Sequence, residues 1–133
     1  MTDTAHTESE SGALAGAWIE AWNSLDLDWL RATLSEGFIH NSPFGKLEGR
    51  DNYLDTVAPI ASGHVHKLTI QKIVSEGDQA VVWFDNHTPQ GVVPACDWIT
   101  VADGQIASVH SFYDSTLIRE VLTAKDLRQL RGS

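Results

Sequence analysis

Four segments between residues 65 and 114 constrain this chain more than any other feature. Residues 65–75, 79–88, 92–101 and 105–114 are rich in Val, Ile, Trp, Phe and Thr. Their apolar residues tend to a period of two, as in strands whose successive side chains leave on opposite faces. The breaks between them are Glu76-Gly77-Asp78, Pro89-Gln90-Gly91 and Ala102-Asp103-Gly104, each of hairpin length and rich in turn formers. Strands joined so closely pair with their chain neighbours, and the segment is predicted to be an antiparallel meander.

The chain ahead of it has helical spacing. Leu14, Trp18, Ala21, Trp22 and Leu25 recur at three- and four-residue intervals, which predicts an amphipathic helix over roughly residues 10 to 24. Asp26 or Asp28 can cap a second helix that carries Trp29, Leu30 and Leu34 and ends at Gly37. An extended piece, residues 38–42, runs into the turn Pro43-Phe44-Gly45. A third helix begins near Arg50, carries Tyr53, Leu54 and Val57, and stops near Pro59. Beyond the meander, Leu117, Ile118, Val121, Leu122, Leu127 and Leu130 indicate further helix. There is no internal repeat and no linker. The expectation is one α+β domain over residues 11–133, its helices packed on a curved antiparallel sheet, behind a flexible tail of residues 1–10.

Composition narrows the function. Eighteen acidic residues against nine basic give a net charge of −9 with no basic stripe, which repels nucleic acid and anionic membranes and argues against both as partners. No run of about 18 apolar residues could span a bilayer. The polar, acidic start does not read as a signal peptide, and the single cysteine, Cys96, fits a reducing compartment. A cytoplasmic protein is expected.

One residue stands out against the meander. The stretch Val93-Pro94-Ala95-Cys96-Asp97-Trp98-Ile99-Thr100-Val101 sets a carboxylic acid into the middle of a buried strand. Asp97 shares a strand face with Ala95, Ile99 and Val101, which offer nothing to stabilise a charge, so burial should raise its pKa. A protonated Asp97 could donate to a carbonyl or an enolate. The other reading is a structural acid bonded to a nearby Trp N–H or Tyr hydroxyl.

The order of elements resembles the NTF2-like superfamily, and within it the SnoaL-like and ketosteroid-isomerase-like branch. The local matches are Phe38-Ile39-His40-Asn41-Ser42-Pro43-Phe44-Gly45 leading to Glu48-Gly49-Arg50-Asp51, then Ser75-Glu76-Gly77-Asp78, then Asp97 through Ile106, and last Ser111-Phe112-Tyr113-Asp114. The resemblance implies a cone-shaped pocket between the concave sheet face and the helices. It also implies that Asp97 is the pocket aspartate that bonds the substrate oxygen. Where ketosteroid isomerases carry a tyrosine in the first helix, this chain has Trp18, whose indole N–H can donate one hydrogen bond. Where they carry a catalytic aspartate before the proline, it has Ser42, which cannot shuttle a proton as a carboxylate does.

Further candidates follow from parity and residue chemistry. If Trp83 faces inward, so do Val81, Asp85 and His87, and Asp85 becomes a second candidate acid; the alternative for Asp85-Asn86-His87 is a hairpin end in solvent. His40 at the pocket mouth has a side-chain pKa suited to proton transfer, with a structural role as its rival. Asn41, Ser42, Tyr53, Ser111 and Tyr113 are candidate ligand contacts beside Trp18 and Trp83. His64 and His66 form an H-x-H pair, but no Cys or acid at ligand spacing completes a metal site. His110 should point away from the pocket. Two functions stay open: a cofactor-independent acid–base catalyst of isomerase or cyclase type acting on an apolar carbonyl compound such as a polyketide or steroid-like molecule, or a non-catalytic binding or assembly domain. A homodimer paired through the outer sheet face is expected.

Overall fold

The computed structural model describes residues 9–63, 67–119 and 122–130. Helix α1, Glu10–Ser24, starts at an N-cap, Ser9, whose hydroxyl accepts the Gly12 N–H at 3.0 Å. It buries Ala15, Trp18, Ile19 and Ala21 and packs across strands β3, Lys67–Glu76, β4, Gln79–Thr88, and β5, Gly91–Ala102. Its first turn is pinned by Ser11, which is buried and reaches the carbonyls of Gly77 at 3.0 Å and Gln79 at 3.2 Å. Helix α2, Leu27–Thr33, is capped by Asp26, which accepts the Trp29 N–H at 3.1 Å.

The meander is present as expected, and the sheet extends beyond it. Strand β6, Gln105–Tyr113, pairs antiparallel with β5 on one side and parallel with β1, Leu34–Ser42, on the other. Strand β2, Gly45–Glu48, completes the order β2-β1-β6-β5-β4-β3. The sheet is therefore curved, open and mixed rather than antiparallel throughout.

Three expected boundaries move. The second helix ends at Thr33 and not Gly37, because Leu34 and Phe38 are wholly buried strand residues and the chain pairs with β6 from Leu34 onward. Gly37 falls where the β1–β6 register shifts, a place that tolerates glycine as readily as a helix end does. The piece after Pro43 is a strand, β2. Helix α3, Arg50–Gly63, runs through Pro59; Ile60 beyond the proline is buried, and that burial offsets the backbone bond the proline removes. The apolar tail forms two short helices, α4, Ser115–Arg119, and α5, Ala124–Leu130. Of the tail expected over residues 1–10, Ser9 caps and Glu10 begins α1; residues 1–8, like His64, His66 and Val121, lie outside the described residues.

The β5–β6 turn explains why Asp103-Gly104 is such a clear signal. Ala102 and Gln105 pair directly, leaving a two-residue loop with Asp103 at φ 54° and Gly104 at φ 76°, the geometry that matches the strand twist. Gly104→Ala should cost roughly 1–2 kcal/mol, the penalty of a left-handed non-glycine residue. Gly37→Ala meets no atom within 4 Å and should be neutral or stabilising by about 0.4–1 kcal/mol. Urea denaturation of both variants checks this; a destabilising Gly37→Ala would mean that the backbone there is left-handed, as at a helix end.

Candidate active site

The concave sheet face, α1 and α3 enclose a cavity of about 260 Å³, close to the lower end of small-molecule pockets. Trp18 and Trp22 come from α1, Tyr53 from α3, and Phe84, Val93 and Ala95 from the sheet; Ile118, Leu122 and Leu130 line it from the C-terminal segment. The inner end is an aromatic nest. Trp18 lies 6.2 Å from Tyr53 in a near-stacked pair, 6.0 Å edge-on to Trp22 and 6.0 Å from Phe38.

Asp97 stands in this apolar wall, only 5% exposed. The Trp18 indole donates to its Oδ2 at 2.8 Å. Burial pushes its pKa up to about 6, against the opposing pull of the hydrogen bonds from Trp18 and Ser111, which favour the charged form. The direction is the one expected from sequence. The value leaves the group largely ionised at neutral pH, so it is a carboxylate poised to accept a proton rather than an acid held ready to donate.

His40 enters from β1 and completes a polar chain. Its Nε2 lies 2.9 Å from the Ser111 hydroxyl. Burial first, and the charge of His110 second, push its pKa down to about 4, so the ring is neutral near pH 7. An ionised Asp97 accepts only, so Ser111 donates to it and takes the Nε2–H of His40 in return, leaving the lone pair on Nδ1. The two tyrosines are neutral donors. Burial raises Tyr53 well above the ordinary phenol range, and lifts Tyr113 to about 12.

Most expected contacts meet in this cavity: Trp18, His40, Ser42, Tyr53, Asp97, Ser111 and Tyr113 all line it. Three do not. Strand β4 has the opposite phase to the one expected: Ala80, Val82 and Phe84 are buried, with Val82 paired to Asp97 and Phe84 to Ala95. Trp83 is accordingly 47% exposed on the outer face. Asp85 accepts from Gln71 at 3.2 Å on that face, and His87 lies beside the Thr69 hydroxyl at 3.1 Å. Both phases of β4 are apolar in sequence, and Trp83 belongs to an apolar exterior, so alternation alone could not choose between them. Asn41 also points outward, beside His110, its register partner on β6. Cavity residues missed from sequence include Trp22, Asn23, Asn86, Thr88 and the C-terminal Ile118, Leu122 and Leu130. The inverted β4 phase would have yielded Asn86 and Thr88.

The two buried titratable groups act on stability in opposite senses. Asp97 has its pKa raised from 3.8 to about 6, so its contribution is present below pH 4 and is lost as pH rises through 6. His40 is lowered from 6.5 to about 4, so its contribution is present above pH 6.5 and is lost as pH falls through 4. Asp97→Asn should therefore make stability fall more steeply than in wild type on acidification from pH 6.5 to 4, and His40→Gln less steeply. Chemical denaturation across that range checks it; parallel profiles for all three proteins would show that neither group is buried as described.

No curated protein matches the chain. Solved structures share its fold. A protein from Kribbella flavida superposes with a TM-score of 0.77 at 24% identity, over 90% of this chain and 98% of that one. A candidate ketosteroid isomerase from the same organism gives 0.70 at 19%, over 79% and 78%. A candidate SnoaL-like polyketide cyclase from Jannaschia sp. CCS1 gives 0.61 at 22%, over 80% and 79%. These neighbours have the helices-on-curved-sheet cone of NTF2-like proteins, and residues 15–109 match the SnoaL-like domain; the chain belongs to the SnoaL-like domain family.

Proposed function

We propose that the protein is a cofactor-independent acid–base catalyst, of isomerase or cyclase type, acting on an apolar small molecule that carries a carbonyl group, such as a polyketide or steroid-like compound. The observation that carries this reading is Asp97: among the described residues it is the one carboxylate lining the cavity, and its pKa of about 6 is near the optimum for a base at neutral pH. Trp18 orients the carboxylate, and the apolar walls keep it poorly solvated and reactive. It takes a proton from the carbon next to the substrate carbonyl and returns it elsewhere. The developing enolate oxygen needs neutral donors, which Tyr113 and Tyr53 supply. Neutral His40, tied to Ser111, positions the hydroxyl that bonds Asp97.

One feature bears on a second reading, a binding domain without turnover: Ser42 stands where a second carboxylate would shuttle the proton. The outer face supports a homodimer. Trp98 and Phe112 are 47% and 48% exposed there, beside Trp83, and exposed apolar side chains grouped on one face favour a protein–protein contact. No helix among the described residues is long and apolar enough to cross a membrane, and the acidic composition supports a cytoplasmic protein that avoids nucleic acid.

Exchange of the acidic C–H hydrogens of 2-tetralone in heavy water, followed by NMR, separates the two readings. Wild type should accelerate exchange, with a rate that rises with pH through about 6 as Asp97 ionises and then levels. Asp97→Asn should lose roughly 10²–10⁴-fold, the contribution of a positioned base, while Asp85→Asn should change nothing. Exchange indifferent to Asp97→Asn would sink the catalytic reading.

A further inference from the structure

The cavity has a second polar position, remote from Asp97. Asn86 lies on the inward face of β4, opposite Val93 of β5, and lines the cavity. Its Oδ1 is closed off from solvent and has no hydrogen-bond donor; among the described residues this is the only such buried side-chain atom. The Nδ2 end makes no hydrogen bond within the protein either, but unlike Oδ1 it is not shut off from solvent. Native proteins rarely leave a buried polar group in this state, because it forfeits the hydrogen bond it had in water.

The neighbours that could have satisfied Asn86 are already engaged. Asn23 uses both ends of its amide on the Leu68 backbone, accepting from N and donating to O at 2.7 Å each. The Thr88 hydroxyl donates to the Gly91 carbonyl at 2.7 Å and accepts the Gln90 N–H at 3.2 Å. Of the three, Asn86 alone keeps its amide without a protein partner; Oδ1 has no open surface in this orientation, and a half-turn of the amide exchanges it with Nδ2, the end that is not shut off. Its partner across the ladder, Val93, lies two inward steps from Asp97 on β5, with Ala95 between them. Four residues of strand separate the two positions by roughly 13 Å, and the wall between is Ala95 and Phe84.

We propose that Asn86 recognises a hydroxyl group at the far end of an elongate, otherwise apolar ligand whose reactive carbonyl lies at Asp97. The proposal rests on the reading of Asp97 as the reactive centre. A hydroxyl is the matching group because it both donates and accepts, and an Asn amide can present either end by a half-turn at its terminal torsion. The apolar wall between the two polar positions selects a hydrocarbon body, and a ligand with one polar end leaves Asn86 unsatisfied.

Two measurements test this. Asn86→Leu keeps the volume and removes the orphaned amide, so the unliganded variant should melt roughly 2–4 °C higher than wild type; a lower melting temperature would mean that Asn86 is structural and would overturn the proposal. Fluorescence titration with 4-hydroxystilbene and 4,4′-dihydroxystilbene then reads the second hydroxyl. In wild type it should tighten binding about tenfold, the worth of one hydrogen bond. In Asn86→Leu that gain should vanish while the monohydroxy probe binds at least as tightly. Equal gains in both proteins, with affinity still dependent on Asp97→Asn, overturn the Asn86 site alone. A gain lost in Asn86→Leu, with affinity indifferent to Asp97→Asn, supports the site and removes the catalytic reading. If neither probe binds wild type, both fall.

Discussion

The hydrogen bond from the Trp18 indole to Asp97 joins the two halves of the molecule. It runs from the middle of α1 to the middle of β5, positions 79 residues apart in the chain, and it does so inside an apolar wall. A carboxylate left there without a donor would be driven further towards its protonated form, and the helix would lose a directional contact with the sheet it covers. Because Trp18 also stacks against Tyr53 and meets Trp22 and Phe38, the bond fixes the aromatic nest as well as the acid. The chemistry of the cavity and the docking of α1 are thus one constraint.

The sheet serves two environments through alternation, interrupted on β6 where Ile106 and Val109 are both buried across a register shift. On β5, Ala95, Asp97 and Ile99 face inward while Trp98 faces out; on β6, Val109 and Ser111 face in while His110 and Phe112 face out and stack on each other at 4.6 Å. A one-residue slip would exchange the two sets, exposing Asp97 and burying Trp98. The pairing of Asp97 with Ser111 prevents this, and two features set it together: the tight Asp103-Gly104 turn, and the irregularity between Thr100 and Val101 that shifts the β5–β6 register by one residue before the ladder reaches Asp97.

The meander, its turns and the first helix were legible because each rests on local signals: period-two alternation, hairpin turn residues, and a cap. The same is true of Asp97, whose apolar face neighbours sit two residues away in sequence. What failed was phase and partnership. Strand β4 is apolar on both faces, so Trp83 and Asp85 could be placed on either; the choice depends on pairing with Asp97, a contact of the folded sheet. Asn41 went wrong by one step beside a correctly placed His40. Strand β1 pairing parallel with β6 is a long-range event that no local pattern encodes, and it is why Gly37 sits in a strand where a helix stop was expected. The C-terminal leucines have helical spacing, but that Leu122 and Leu130 line the cavity depends on where the chain returns after β6.

Unfavourable terms are gathered in one place. Ser11, Asn23 and Thr88 show that this fold satisfies buried or half-buried polar groups readily, each with two backbone partners. Around the cavity the pattern breaks: Asp97 is held largely charged against burial, and Asn86 keeps an acceptor with no donor. Each lowers the stability of a small domain that has little to spare. Local rules broken together in one enclosure, and obeyed around it, mark a site shaped for a ligand rather than for packing. The spacing of the breaks describes that ligand: polar where Asp97 and Asn86 stand, and hydrocarbon along Ala95 and Phe84 between them.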